Sequence, residues 1–416
     1  MTTPPAPIVE MRVGTDDGWT LNDPTLSRLT AGNVLDGPLD GYVDLSAYAV
    51  SVDWNVGASS DTDFTTINPS YAQIRFYDPD RDLDPNGTGL YSSKITYNTP
   101  VRISVKDWYS STRYRQFTGF LWSASWSAGY TTVTAVDYLS KLAAVTLTAT
   151  TSQGAGETGS ARIARLLANS SVNLPVTYGT GTTYTRQATD LSGNVLTNIS
   201  NIVETEWGLF ASNDGGQTYS YTPSWYTGRR VALMQLVDGY LPAVAEAGGA
   251  GVDSSRVRNY ATVKGSGLTD SIASSSTSIA IYGRRTIEKS TNFAVQADQD
   301  NYATSLVTWY ATPVDTSPRR MRFVITTANT TVKAPWLVYS AFFQSGTALG
   351  RYITMSTSIG YTGTPFVVGY SVSYTSTAEY SITAVLADLG GSASSGYWTL
   401  TNGTNSYLDF GRVLKT

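Results

Sequence analysis

The chain has no cysteine and no histidine in its 416 residues. Without cysteine there are no disulfides, no thiolate metal sites and no cysteine nucleophiles. Without histidine, the usual general base near neutral pH and the commonest transition-metal ligand are missing. Zinc chemistry and Ser-His-Asp hydrolysis are excluded, which leaves carboxylate, lysine, tyrosine or hard-cation chemistry. Charge is also scarce: Asp, Glu, Lys and Arg make up 14% of the chain, against about 25% in ordinary globular proteins. The surface must be covered largely by Ser, Thr, Gly, Asn and Tyr, a profile that suits β-rich extracellular or particle-borne proteins. Glutamate occurs only at Glu10, Glu157, Glu204, Glu206, Glu246, Glu288 and Glu379.

The net charge is −4, from 28 Lys+Arg and 32 Asp+Glu. Arginine pairs at Arg229-Arg230, Arg284-Arg285 and Arg319-Arg320 are scattered, so the sequence shows no basic stripe and predicts no stable nucleic-acid binding. The N-terminal Met1-Thr-Thr-Pro-Pro-Ala-Pro has neither a basic start nor an apolar run and does not read as a signal peptide. The most apolar stretch, 231–247, contains Gln235, Asp238, Pro242 and Glu246 and cannot be a spanning helix. A chain of this length predicts two to four domains.

Alternation dominates the first third. Tyr48, Val50, Val52 and Trp54 share one strand face, as do Ala72, Ile74 and Phe76, because Cβ direction repeats every two residues. A turn-rich stretch, 78–87, follows. Val101–Val105 is another strand, and 117–126 with 131–136 read as a hairpin around Ser127-Ala-Gly129. Residues 42–147 predict one antiparallel sheet or barrel. After a Gly/Ser/Thr linker, 161–169 and 191–207 have helical spacing, the latter capped by Asp190 or Ser192. Strands at 208–210 and 218–221 flank Asn213-Asp-Gly-Gly216, a hairpin signal. Farther on, 259–264 predicts a strand, 274–278 a loop, and 294–310 a helix with Ala297, Tyr302, Leu306 and Tyr310 on one side. Arg320–Thr326 predicts a strand, and from Val338 onward Tyr/Val/Ser/Thr alternation returns. The segments 117–139 and 366–389 resemble each other, each ending near Thr-Ala-Val (Thr134–Val136 and Thr383–Val385). The expected fold is mainly β with a small α+β module and two related β-barrel-like domains. The expected division is 1–147, 148–250, 251–335 and 336–416.

Tyr71–Pro85 (YAQIRFYDPDRDLDP), Pro100-Val-Arg-Ile103, Phe117-Thr-Gly-Phe120 and Val133–Asp137 together resemble the N-terminal region of siphophage minor tail proteins. Asn259–Val263, Asp270-Ser271, Ile281-Tyr-Gly-Arg-Arg285 and the 294–310 helix are similar to that family's later hub domain. The family-pattern residues are Asp78, Asp84, Pro85, Pro100, Phe117, Gly119, Asp137, Tyr282 and Gly283. The resemblance implies a tail-hub (baseplate hub-like) subunit of a long-tailed phage. It implies a homotrimer whose two β-barrel domains per copy make a pseudo-sixfold ring at the tail tip. The implied partners are the distal tail protein, the tape-measure protein and other minor tail proteins, with transient DNA passage. The implied location is the virion, assembled in the host cytoplasm, and no catalytic residue, metal or cofactor is implied. The alternative is a receptor- or carbohydrate-binding tail-tip protein that contacts host-surface glycan.

Three local patterns have competing readings. Asp78, Asp80, Asp82 and Asp84 alternate like hard-cation ligands. Leu83 and Gly89 stand where an EF-hand loop requires Gly and Glu, so a structural turn is the preferred reading. Glu204 and Glu206 suggest a glycosidase pair, but residues two apart on a helix diverge, and solvation of a helix end is the better expectation. Trp108, Tyr109, Trp225 and Tyr226 lie near turns and are candidates for exposed sugar-stacking rings, or for core and interface packing.

Overall fold

A computed structural model describes residues 4–13, 41–58, 67–148, 156–181, 183–189, 192–228, 232–237, 257–311, 320–325, 335–344, 348–356, 362–375 and 379–387. The first segment holds β1 (Ile8–Met11), β2 (Ala49–Gly57), β3 (Tyr71–Tyr77), β4 (Pro100–Lys106), β5 (Arg113–Ser127) and β6 (Tyr130–Val136). Val52 and Trp54 are buried on one face of β2 as expected, but Tyr48 lies in the 3-10 turn before it, Ser46–Tyr48, and is exposed. In β3 the pattern is complete: Ala72, Ile74 and Phe76 are buried while Tyr71, Gln73, Arg75 and Tyr77 face outward. Ala128 and Gly129 both take positive φ, 52° and 82°, the conformation a two-residue hairpin loop needs to match strand twist. A short helix, α1 (Tyr138–Ala144), follows, capped by Asp137.

The middle of the chain holds α2 (Gly159–Ser170), β7 (Val176–Tyr178), α3 (Val195–Thr205), β8 (Leu209–Asn213), β9 (Thr218–Thr222) and β10 (Ala232–Val237). Ile163, Leu166, Ile199, Ile202 and Val203 close a small core with Phe210, Tyr219 and Tyr221. The cap of α3 is Asn194, whose side chain accepts from Thr197 N at 3.0 Å, rather than Ser192; Asp190 lies outside the described residues. The helix starts late because Gly193 and Asn194 are held extended by pairing with Leu147 and Thr146.

Next come β11 (Tyr260–Gly265), β12 (Ser271–Ser274), α4 (Ser276–Tyr282), β13 (Thr286–Thr291) and α5 (Gln296–Tyr310). The stretch expected as a loop, 274–278, begins α4 instead, because Ser275 caps it by accepting from Ser278 N. Along α5 the buried stripe is Gln299, Tyr302, Ala303, Leu306 and Val307, while Ala297 is exposed. A glutamine occupies the interior with its Nε2 within hydrogen-bond distance of Val263 O, Thr269 O and Ser271 Oγ, while its buried Oε1 finds no partner, so its burial cost is only partly offset.

The last elements are β14 (Arg320–Ile325), α6 (Pro335–Phe343), β15 (Tyr352–Ser356), β16 (Phe366–Thr375) and β17 (Glu379–Ala387). The strand expected from Val338 is corrected here: through Phe343 the chain is helical. Val338, Tyr339, Phe342 and Phe343 are all buried, and their spacing of one, three and one places them on a single helical face.

Among the described residues, thirteen strands form one sheet. Its main path runs β10-β15-β16-β2-β3-β6-β5-β4-β1 and ends on the two-residue strand Val43–Asp44; β17 branches from β16 and carries β14. The hairpin strands β5–β6 and β16–β17 are antiparallel, whereas β10 and β15 are parallel. Strands β10 and β14, which fall inside the expected second and third segments, thus belong to the main sheet. The two ends of the chain meet where β2 pairs with β16, from Ser51↔Thr375 to Gly57↔Gly369. Helix α6 packs on the inner face: Phe343 meets Trp54 at 5.9 Å, and Phe342 meets Phe323 and Tyr370, each at 5.5 Å. Gln116 Nε2 donates to Phe343 O at 2.9 Å, and Tyr339 OH to Lys106 O at 2.7 Å. One core therefore serves strands from both ends of the sequence.

Candidate functional site

No group of three or more acidic side chains that could hold a metal ion is found among the described residues. The Asp-rich turn spends its oxygens on itself. Asp78 accepts from Asp82 N at 2.7 Å, Leu83 N at 3.1 Å and Thr131 Oγ1 at 2.6 Å. Asp82 accepts from Leu90 N, and Asp84 from Asn86 N and Arg81 Nε. Burial alone would raise the Asp84 carboxyl, but the Asn86 amide and the Arg81 hydrogen bond and charge outweigh it and hold it below its ordinary range. Pro85 is half-buried in the same turn.

The other family-pattern residues frame the same strands. Pro100 opens β4 opposite Phe120, and its carbonyl accepts from Arg12 N. Phe117 is buried, and Gly119 has no room for a side chain: a Cβ there would lie 2.3 Å from Val136 O and 2.7 Å from the Phe117 ring. Asp137 follows β6 and caps α1, its side chain accepting from Ser140 N at 3.2 Å, while Tyr219 OH donates to its Oδ2 at 3.3 Å. Burial pushes its carboxyl up to about 6, against these hydrogen bonds. Asp78 and Asp137 thus stand at opposite ends of the β3–β6 pair, whose register runs Tyr77↔Tyr130 to Tyr71↔Val136. Tyr282 and Gly283 lie apart, at the end of α4. There Gly283 takes φ +71°, donates to Ile279 O and accepts from Asn259 Nδ2.

The expectation that Glu204 and Glu206 solvate a helix end fails for Glu206. Its side chain and that of Arg186 are 0% and 1% exposed, joined at 2.9 Å. Arg186 also donates to Thr205 Oγ1 at 2.8 Å and Asn292 Oδ1 at 3.1 Å, and Tyr221 OH donates to Glu206 Oε2. Glu206 is buried because the chain turns inward after α3, and every oxygen it brings finds a donor. Glu204 instead meets Lys289 Nζ at 2.5 Å. The two carboxylates do not face each other across a cleft. The Arg186–Glu206 pair, which ties α3 to the β13–α5 module, has no local sequence signal, since its members are twenty residues apart.

Of the four candidate rings near turns, most take the packing alternative. Tyr226 is buried against Phe366 at 5.2 Å, Trp225 Nε1 donates to Gly350 O, and Trp108 packs on Tyr339; of the four only Tyr109 is exposed. A different pair stands in solvent: Trp122 and Tyr97, 56% and 62% exposed, with ring centroids 5.7 Å apart. Trp122 is the extra residue of a bulge between Leu121 and Ser123, and bulges re-aim side chains in this way.

The largest feature is the outer face of the main sheet. One cross-strand row reads Val324, Ser381, Ser373, Asp53, Gln73, Thr134 and Ser123. The next reads Glu379, Thr375, Ser51, Arg75, Thr132 and Ser125. These rows cross the β2–β16 seam without a break, so the two ends of the chain present one continuous surface dominated by hydroxyl and amide groups.

No family model and no curated protein sequence matches the chain. Among solved structures it is similar to the 43 kDa tail protein of prophage MuSo2 from Shewanella oneidensis. That likeness has a TM-score of 0.53 and 9% identity, and covers 92% of this chain and 97% of that one. It is also similar to the tail protein from Neisseria meningitidis MC58, with a TM-score of 0.53 and 11% identity over 82% of this chain and 96% of that one. At these identities the likeness is one of fold. The architecture is mainly β, built on large antiparallel sheets, and it is a fold found in phage tail proteins.

Proposed function

We propose that the chain is a structural, non-enzymatic subunit of a phage tail, placed as a hub at the tail tip and assembled in the host cytoplasm. The observation that carries this reading is the polar face running unbroken across the seam between the two ends of the chain. Two hairpins flank that seam. In the first, β5 and β6 are bordered by β4 and β3; in the second, β16 and β17 are bordered by β2 and β14. Each hairpin carries a bulge in its first strand, between Leu121 and Ser123 or between Val367 and Gly369. Three copies of a subunit with two similar surfaces imitate a ring of six, which is what joining a sixfold tube to a threefold tip requires.

In this reading the homotrimer meets the distal tail protein and the tape-measure protein, and the hydroxyl-rich face lines the axial passage. A wall poor in Lys and Arg releases DNA readily, because phosphate contacts through those residues hold it by counterion release. Cryo-EM of assembled tails is expected to show three copies around the axis with Ser373, Gln73 and Thr134 toward the lumen. A single copy bound at the periphery, or a strongly basic channel, would sink the proposal. The exposed Trp122–Tyr97 pair favours a second reading, a glycan-binding tip protein. Tails made without the subunit separate the two: a missing hub aborts assembly, whereas a missing adhesin leaves complete tails that fail to attach.

A further inference from the structure

One end of the outer face gathers rings from separate stretches of the chain. Trp122 and Tyr97 form the exposed pair. Phe120 lies two residues before Trp122 on β5, and Tyr138 of α1 meets it edge-on at 4.7 Å. Tyr71, also exposed, stands in the same cross-strand row, with Val136 between it and Phe120. Backbone bonds fix the loop that carries Tyr97. Asn98 takes φ 71°, its N–H donates to Leu121 O at 3.1 Å, and Leu121 N–H donates back to Thr99 O at 2.8 Å. Thr99 is buried, and its Oγ1 accepts from Thr96 N at 3.0 Å. A ring held in place before contact loses little freedom on binding.

The shelf has a cation at its side. Lys141 of α1 places its ammonium 3.4 Å from the Phe120 ring centroid and 5.6 Å from that of Tyr138. Among the described residues no ion pair engages Lys141, nor Lys94, which lies three residues before Tyr97 in the same loop. Asp137, one turn before Lys141, is buried and committed to Ser140 and Tyr219. Asp53 of β2, which borders this face, stands opposite Gln73. Burial draws the Lys141 ammonium below its ordinary pKa, and no carboxylate opposes that shift. A partly buried cation gains more from an anion than a fully solvated one does.

We infer that this aromatic shelf binds an acidic saccharide, a pyranose that carries a carboxylate, of the uronic or sialic type. The inference rests on the glycan-binding reading and narrows it to an anionic sugar. Two observations select that class. Among the described residues neither the Trp122 indole N–H nor the Tyr97 hydroxyl has a hydrogen-bond partner. Exposed rings with open donors, set among the exposed Thr96, Asn98 and Ser123, suit a ligand that offers both C–H faces and hydroxyl groups. The second is charge: a carboxylate on that ligand meets Lys141 in a charge-assisted hydrogen bond. A flat apolar protein partner would instead cover the ammonium and leave it uncompensated.

Isothermal titration calorimetry of the full chain in low-salt buffer tests this, with sialyllactose, trigalacturonate and lactose as probes. Saturable binding of at least one acidic probe is expected, about tenfold or more tighter than lactose. Raised salt should weaken the acidic probe and leave lactose unchanged. Lys141→Met is expected to bring the acidic probe down to the affinity of lactose, and Trp122→Ala to weaken both. Equal affinity for acidic and neutral probes, or an acidic preference that survives Lys141→Met, overturns the inference while leaving the glycan-binding reading in place. No saturable binding of any of the three probes overturns both and leaves the rings to a neighbouring subunit. If Lys141→Met fails to fold, the salt series on the parent chain decides: an acidic preference that salt does not diminish overturns the inference.

Discussion

The two halves of the great sheet use the same alternation but differ in how many of their rings stand outside. Around β3, β5 and β6 the inner face mixes the aliphatic Ile74, Val133 and Ala135 with the rings of Phe76 and Phe117, and the large rings Tyr71, Tyr77 and Trp122 stand outside. Around β14, β16 and β17 the inner face is aromatic, with Phe323, Tyr370, Tyr374 and Tyr380 closed over by Tyr339, Phe342 and Phe343 of α6. The outer face there is Ser371, Ser373, Ser381 and Thr383, with Arg322 Nε donating to Ser381 Oγ at 2.8 Å. Rings inside contribute packing. Rings outside are available for contact with another molecule. Hairpins that read alike as strings of aromatic and β-branched residues thus differ in what their aromatics do.

Substitutions that strike one half and spare the other put this contrast under strain. Phe342→Ala removes a ring from the inner face of the second half, and a loss of about 3–5 kcal/mol is expected, read by denaturant unfolding. Because one core spans both halves, tryptophan fluorescence and far-UV circular dichroism should report the same midpoint; two separate transitions would show that the halves are independent.

The helical modules packed beside each half are tied differently. Beside the second half, Arg186–Glu206 is fully buried, so Glu206→Ala leaves an uncompensated guanidinium. The expected cost is about 3–5 kcal/mol. Lys264→Met, which breaks the exposed Lys264–Glu288 pair, should leave the unfolding midpoint nearly unchanged, because solvent screens an exposed pair. Equal effects would mean that burial does not set the value of an ion pair here.

Beside the first half the tie is Asp137 with Tyr219. The Asp137 carboxyl is raised in the folded state from 3.8 to about 6, chiefly by burial. The folded protein therefore binds this proton more tightly than the unfolded chain does. The contribution is fully present below about pH 4 and is lost as pH rises through 6, amounting to roughly 3 kcal/mol at most. In Asp137→Asn, which keeps an acceptor for Ser140 and Tyr219, that part of the stability–pH curve should flatten. An unaltered slope between pH 4 and 6 would contradict it. The smallest effect belongs to the outside rings: Trp122→Ala should alter stability by no more than about 0.5 kcal/mol. If instead it costs as much as Phe342→Ala, the ring is structural and the contrast between the faces fails.

Much of the first half was legible because β3, β4 and β6 alternate cleanly and Ala128-Gly129 supplies the positive φ that a tight hairpin needs. The second half was harder to read. Val338-Tyr-Ser-Ala-Phe-Phe343 contains both periods, and only packing against Trp54, Phe323 and Tyr370 of the sheet selects the helix. Glu206 looked like a surface residue because nothing near it in the chain announces Arg186. Register is hidden for the same reason: it lies between strands, whereas composition and periodicity are read along one. The expected boundary between residues 250 and 251 lies outside the described residues.

The pairing of β2 with β16 also has a kinetic side. Its partners are separated by roughly three hundred residues, so a nascent chain must wait for most of its synthesis before that ladder can form. Until then β2 is an edge strand with open hydrogen-bonding groups, and such edges invite pairing with other molecules. Non-local strand closure of this kind is slow, typically milliseconds to seconds in small β domains. The same edge that later joins the two halves is, during translation, the place where misassembly is most readily begun.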